Sequence, residues 1–218
     1  MIPLFHDFTD ETVLVFGGGP VGARKARRFA REARAVVISP RFVDADFGDA
    51  ERIRAAPTPD EVSEWLERHD PALVVAATDD RAVNDAIVDE ANEHHVLVNR
   101  ADRAGGREAG SVVVPATVDE PPVTVAIATG GTAPVLSKHL RKELEETLEG
   151  TGAMATVLGE LRQELKARNV PEEHRQALVT EVVNTPEIWT ALRSGTANSR
   201  QVIEDVLDSE QPPAGESP

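Results

Sequence analysis

The chain contains no cysteine, which excludes disulfides, thiolate zinc sites and cysteine nucleophiles outright. Lysine is nearly as scarce. Lys25, Lys138, Lys142 and Lys166 are the only four, and arginine carries the remaining basic charge. No apolar stretch is long enough to span a membrane, and Met1–Asp10 lacks the basic start and hydrophobic run of a signal peptide. Positive charge is in deficit overall: 38 Asp and Glu against 23 Lys and Arg leave a net charge of −15. That argues against nucleic-acid binding through phosphate neutralisation. The expectation is a soluble, cytoplasmic protein with neither nucleic-acid nor membrane partners. Acid-rich, lysine-poor surfaces resemble those of proteins working in concentrated salt, where repulsion is screened within about 3 Å at 1 M. A halophilic setting is expected on that ground, against the plainer reading of an acidic mesophilic protein.

What the chain does contain is organised around Thr12–Arg31, T-V-L-V-F-G-G-G-P-V-G-A-R-K-A-R-R-F-A-R. An apolar run, Val13–Phe16, enters a glycine turn, and a helical pattern leaves it. Gly17, Gly19 and Gly22 have the G-x-G-x-x-G spacing of a dinucleotide site. The first glycine permits the turn, the second clears room for the pyrophosphate, and the third lets helix and strand lie close. N–H groups at the helix start, around Gly19-Pro20-Val21-Gly22, then point at the anion with the help of the helix dipole. The alternative is an ordinary structural glycine turn. At 218 residues there is room for one nucleotide domain and a smaller second one.

Ala35–Ser39 reads as the second parallel strand, ended by Pro40, and Ile2–Phe5 as a short lead-in packed beside the first. Dinucleotide folds often place an acid at the end of the second strand to hold the adenosine ribose. Here the strand ends in Ser39-Pro40-Arg41, and Asp44 and Asp46 fall later, in a loop. The ribose contact is therefore assigned to Ser39 or to the backbone of Pro40 and Arg41. Arg41 could equally accept a 2′-phosphate. Arg52–Ala56 reads as an edge strand, and Thr58-Pro59-Asp60-Glu61 as the start of a helix running to about His69. Leu73–Ala77 is a fully apolar run, as for a central strand buried on both faces. Thr78-Asp79-Asp80 follows at the ligand edge of the sheet, where the aspartates either face a ligand or cap the helix Arg81–Glu93. Val96–Asn99 is the next strand.

This β-α alternation indicates a doubly wound sheet. After Asn99 come a polar loop, Arg100–Gly110, and two β-rich runs, Ser111–Val114 and Val123–Thr129. A helix, Val135–Glu149, follows the turn Thr129-Gly130-Gly131-Thr132-Ala133-Pro134. Helices then continue to Leu207, with the stripe Met154, Val157, Leu158, Leu161 and Leu165 read as core. Asp208–Pro218 reads as a disordered tail. The expected fold is thus α/β: a Rossmann-like parallel sheet over 1–110, a strand-and-helix region over 111–149, a helical domain over 150–207, and the tail over 208–218.

Four segments together resemble the precorrin-2 dehydrogenase family, the dehydrogenase–chelatase part of siroheme synthase. They are V-L-V-F-G-G-G-P-V-G-A-R-K-A, A-A-T-D-D-R-A-V-N, V-N-R-A-D, and V-A-I-A-T-G-G-T-A-P-V-L-S-K-H-L-R. The resemblance covers roughly residues 1–150 and implies a homodimer paired through 111–149. It implies NAD as cofactor, oxidation of precorrin-2 to sirohydrochlorin and, in some members, insertion of ferrous iron as substrate. Asp102 matches the aspartate ending V-N-V-V-D in the family and is expected to handle protons, with His139 next in line. Arg100-Ala101 departs from the apolar pair that the family has there.

Two basic concentrations stand out in the acidic chain: Arg100, Arg103 and Arg107, and the run Ser137-Lys138-His139-Leu140-Arg141-Lys142. The plain reading of such a run is a solvated helix face. A tetrapyrrole bearing many carboxylates would instead use Arg103, Arg107 and Lys138 as counter-charges, with Gly130 and Gly131 admitting the flat macrocycle. No metal-ligand array is evident: His94-His95 end a helix, and His6, His69 and His174 have no partners at recognisable spacing. Two other functions remain open. A dehydrogenase for a small acid or semialdehyde would want a histidine or lysine placed against a carbinol. An NAD(H)-sensing regulatory module would typically end its second strand in an acid.

Overall fold

The computed structural model of the chain describes residues 2–101, 111–195 and 199–209. The chain divides into two compact units, Met1–Val114 and Pro115–Pro218.

The first unit is a five-stranded parallel sheet. Its strands are β1 (Thr12–Phe16), β2 (Arg34–Ser39), β3 (Glu51–Arg54), β4 (Leu73–Ala76) and β5 (Leu97–Arg100), in the order β3-β2-β1-β4-β5. The apolar runs form strands because both faces are covered, so each side chain of the period-two ladder finds a helix. Leu14, Phe16, Val36, Ile38, Val74, Ala76 and Val98 point to one face, against α2 (Val62–His69) and α3 (Arg81–Glu93). Val13, Val15, Ala35, Val37, Leu73 and Val75 point to the other, against Ala23, Ala26 and Phe29 of α1 (Pro20–Phe29). Thr58, Pro59 and Glu61 open a 3-10 turn that leads into α2, as the sequence predicts. The Glu61 carboxylate accepts the Thr58 N–H at 2.8 Å, and that bond holds its pKa below the usual carboxylate range. The chain runs outward from β1 to β3, then returns to place β4 on the other side of β1. The sheet therefore switches direction between β1 and β4, where open α/β sheets hold ligands at their carboxyl edge.

Two expectations change here. Ile2, Leu4 and Phe5 are exposed, at 85, 86 and 75%. The residue that packs is Phe8, edge-on to Phe29 at 5.6 Å, with its N–H tied to Glu32 at 2.6 Å. Ser111–Val114 pairs with no later strand. It lies beside β5, where Val112 N–H donates to Val98 O and Asn99 Nδ2 to Val112 O, both at 2.8 Å, and Val112 and Val114 pack on the core at the α1 face of the sheet. The break between units consequently falls at 114/115 rather than at 110.

The second unit begins with an antiparallel hairpin of β6 (Ala116–Glu120) and β7 (Val123–Ile127). Next comes α4 (Pro134–Thr147), with proline at its first turn and no buried residue. Helices α5 (Thr151–Ala167), α6 (Glu172–Asn184), α7 (Pro186–Ser194) and α8 (Ser199–Ser209) complete it. The expected stripe is indeed core: Met154, Val157, Leu161 and Leu165 are buried with Leu178, Val182, Val202 and Ile203. Helix α8 continues to Ser209, past the expected start of the tail, and the remaining tail lies outside the described residues.

Candidate dinucleotide site

The turn between β1 and α1 separates glycines the protein itself demands from one it does not. Gly17 has φ +122°, and a Cβ there would lie 2.2 Å from Ala77 O. A Cβ on Gly18 would meet Arg41 O at 2.2 Å, and one on Gly22 would meet Gly17 O at 1.9 Å. These three let β1, the loops after β2 and β4, and α1 approach one another. Gly19 is different. A Cβ there meets nothing within 4 Å, and its backbone (φ −78°, ψ −177°) suits any residue. Its lack of a side chain serves space outside the protein, as the second glycine of a pyrophosphate turn should. Gly19 caps α1 without a side-chain hydrogen bond, Pro20 follows, and no acid occupies the first turn. The N–H groups of Val21 and Gly22, without intrahelical acceptors at a helix start, are available to bind an anion. Gly18, which the sequence reading passed over, is as necessary as its neighbours, and the triple glycine was its signal.

The crevice beyond this turn has a volume of about 610 Å³. One wall is the end of β2: the buried Ser39 hydroxyl donates to Arg41 O at 2.7 Å and folds Pro40-Arg41-Phe42-Val43 back over the sheet edge. Val43 N–H donates to Gly18 O at 2.9 Å, which ties that loop to the glycine turn. Phe42 meets Phe47 edge-on at 5.7 Å, and the Arg52 guanidinium lies over both rings. The opposite wall is Ala77-Thr78-Asp79 after β4, held by a side-chain clamp. Asn84, buried on α3, accepts from Thr78 N (3.1 Å) and Thr78 Oγ1 (2.7 Å) and donates to Thr78 O (2.9 Å). Asn84 is a positioning residue that A-A-T-D-D-R-A-V-N displayed without revealing its purpose. The two aspartates divide their roles. Both border the crevice, but only Asp80 caps α3, accepting from Ala82 N and Val83 N at 2.8 and 3.3 Å.

Gly17, Gly19, Ser39, Pro40, Arg41, Thr78 and Asp79 thus converge on one crevice, with Pro20, Val21 and Gly22 on the helix turn beside it. Lys25 lies one turn further along α1, half-buried, and burial with the nearby Arg28 and Arg24 charges pulls its pKa down to about 8. Arg100, one of the expected basic concentration, is committed to Asp85 at 2.6 Å with only 9% of its side chain exposed. Asp102, Arg103 and Arg107 lie outside the described residues. Gly130, Gly131, Lys138 and His139 belong to the second unit. There Thr129 Oγ1 meets Ser137 Oγ at 2.9 Å and Thr132 Oγ1 donates to Thr129 O at 2.7 Å, closing the turn onto the start of α4. Lys138 is exposed, and His139 is exposed with Glu143 4.0 Å away. Arg141 pairs with Glu145, so part of that basic run is an ordinary helix-face pair. Among the described residues no group of three or more His, Asp or Glu could hold a metal ion, and no helix is long and apolar enough to cross a membrane.

Comparison with known proteins agrees with this geometry. A family described as "Putative NAD(P)-binding" matches residues 4–116. The siroheme synthase of Stutzerimonas stutzeri is 32% identical over 215 residues, covering 98% of this chain and 45% of that protein. Siroheme synthase 1 of Aeromonas salmonicida is 34% identical over 219 residues, covering 96% and 44%. The chain belongs to that NAD(P)-binding family, and it is similar to siroheme synthases along nearly its whole length. It spans somewhat under half the length of these relatives. The solved structure of SirC, precorrin-2 dehydrogenase, shares the fold over 95% of this chain and 100% of that one, with a TM-score of 0.68 at 22% identity. The crevice fits NAD. The glycine turn and the start of α1 would hold its pyrophosphate, Ser39–Val43 its adenosine, and Ala77–Asp79 the strand edge between them.

Proposed function

We propose that the chain oxidises precorrin-2 to sirohydrochlorin with NAD. The observation that carries this reading is the open position at Gly19 within a turn whose other glycines are sterically required. It marks a dinucleotide site, and the likeness to siroheme synthases along nearly the whole chain supplies the substrate class. When bound, NAD accepts a hydride. The macrocycle must also give up a proton, and Asp102, just beyond the end of β5, is the residue assigned to take it. His139 is the second candidate. Arg103, Arg107 and Lys138 are assigned to substrate carboxylates, with Gly130 and Gly131 leaving a flat ring unobstructed.

The active form on this reading is a homodimer in the cytoplasm. Val135, Leu136 and Leu140 on α4 are 83, 48 and 37% exposed, an apolar helix face that a second copy would cover. The test is to mix the protein anaerobically with NAD and precorrin-2. The proposal expects reduced nicotinamide and the sirohydrochlorin spectrum to appear together in equal amounts. Tight NAD binding with no change in the precorrin-2 spectrum would contradict it.

A further inference from the structure

We propose that the helical unit holds a second ligand site, a cavity between α6, α7 and α8 that takes an apolar primary amine with its ammonium head at the mouth. The cavity has a volume of about 350 Å³, within the range of small-molecule sites. Its floor is the core of the unit. Leu178 and Val182 of α6 and Val202 of α8 line it, and they are only 5, 1 and 5% exposed. Ile188 of α7 and Val206 of α8, both half-buried, extend the apolar lining. The space exists because α7 does not close over its neighbours: α6 and α8 each bury residues, whereas α7 buries none. Protein interiors pack as densely as organic crystals, so an opening of this size against core side chains suits an apolar occupant.

The head group follows from charge. Glu181 of α6, Glu187 of α7 and Asp205 of α8 also line the cavity and are exposed, one carboxylate from each helix. Acids are common in this chain, and the deciding feature is that no base balances them. Among the described residues no lysine, arginine or histidine lines the cavity. The arginines of these helices are engaged elsewhere: Arg175 with Glu172, Arg193 with the Glu149 carbonyl and the Trp189 ring, and Arg200 with Glu204. Exposed carboxylates over an apolar floor match an aliphatic or aromatic body that ends in a cation. The same carboxylates repel a pyrophosphate or a polycarboxylate macrocycle, so neither NAD nor a tetrapyrrole is the ligand here.

Calorimetric titration of the full chain at pH 7 with heptylamine, butylamine and heptanol tests this. Heptylamine is expected to bind once per chain. Each methylene taken out of water is worth about fourfold in affinity, so butylamine should bind about fiftyfold more weakly. Heptanol keeps the alkyl body without the charge and should bind about tenfold more weakly. Ala191 lines the cavity, and Ala191→Phe, which fills it, should abolish binding of all three. Glu181→Gln combined with Glu187→Gln and Asp205→Asn alters only exposed groups and should erase the preference for heptylamine over heptanol. NAD affinity should be unchanged in both variants. No binding of heptylamine, several amines per chain, or an affinity unmoved in both variants overturns the proposal and leaves the dinucleotide reading intact.

Discussion

The two units treat their apolar residues differently. In the first, all four strands β1, β2, β4 and β5 carry fully buried residues, and helices on both faces complete two separate cores within one chain. In the second, α5, α6 and α8 bury a core of their own, but β7 alternates half-buried and exposed residues and α4 buries none. The first unit is finished by its own sequence. The 116–148 segment presents apolar surface of the kind a partner copy covers, which is the physical ground for proposing a homodimer.

The sharpest way to break this contrast is at the glycines. Gly22→Ala drives a Cβ into the Gly17 carbonyl, backbone against backbone, and should cost at least about 4 kcal/mol in chemical denaturation. Gly130→Ala, where a Cβ meets nothing and only the φ of +69° is strained, should cost about 1–2 kcal/mol. Equal losses would remove the distinction between a closed unit and an open one. Next in size is Asp102→Asn. A positioned general base contributes about 10²–10⁴-fold, so turnover should fall at least about a hundredfold while calorimetry shows NAD binding unchanged. On α4, Val135→Asp with Leu136→Asp should convert a dimer to a monomer in sedimentation, weakening association at least about a hundredfold without loss of NAD binding. A wild-type monomer at the salt concentration the protein prefers would contradict the pairing.

The smallest effect concerns Lys25. Its folded pKa, near 8, lies below its unfolded value of 10.5, so the unfolded chain binds more protons between those limits. Wild-type stability should therefore rise as pH climbs from about 8 to 10.5. Lys25→Met should lack that rise and be more stable at neutral pH by about 1–2 kcal/mol, as denaturation at several pH values would register.

The first unit was legible because each of its features has a local cause. The apolar runs, Thr58-Pro59 before a helix and the strand–glycine–helix order all act within a few residues of themselves. Ser111–Val114 was harder: its valines suit a strand in any partner's company, and only packing against the core at the α1 face of the sheet, beside Asn99, fixes where they go. The roles of Gly18 and Asn84 were hidden for a similar reason. Gly18 acts on backbone distant in sequence, at Arg41, and Asn84 reaches back across the α3 cap to the Thr78 backbone, which only the folded turn reveals. Asp79 and Asp80 were indistinguishable in the sequence, and the geometry of the α3 cap selects Asp80.

The central claim is that Gly19 is glycine for the sake of a bound dinucleotide. Titrating NAD into the wild-type chain and into Gly19→Val, with the folded content of both checked by circular dichroism, tests it most directly. Because the backbone at Gly19 is extended and its surroundings are open, the variant should fold like the wild type and lose NAD binding by at least about a hundredfold. A folded Gly19→Val protein that binds NAD as tightly as the wild type would contradict the account.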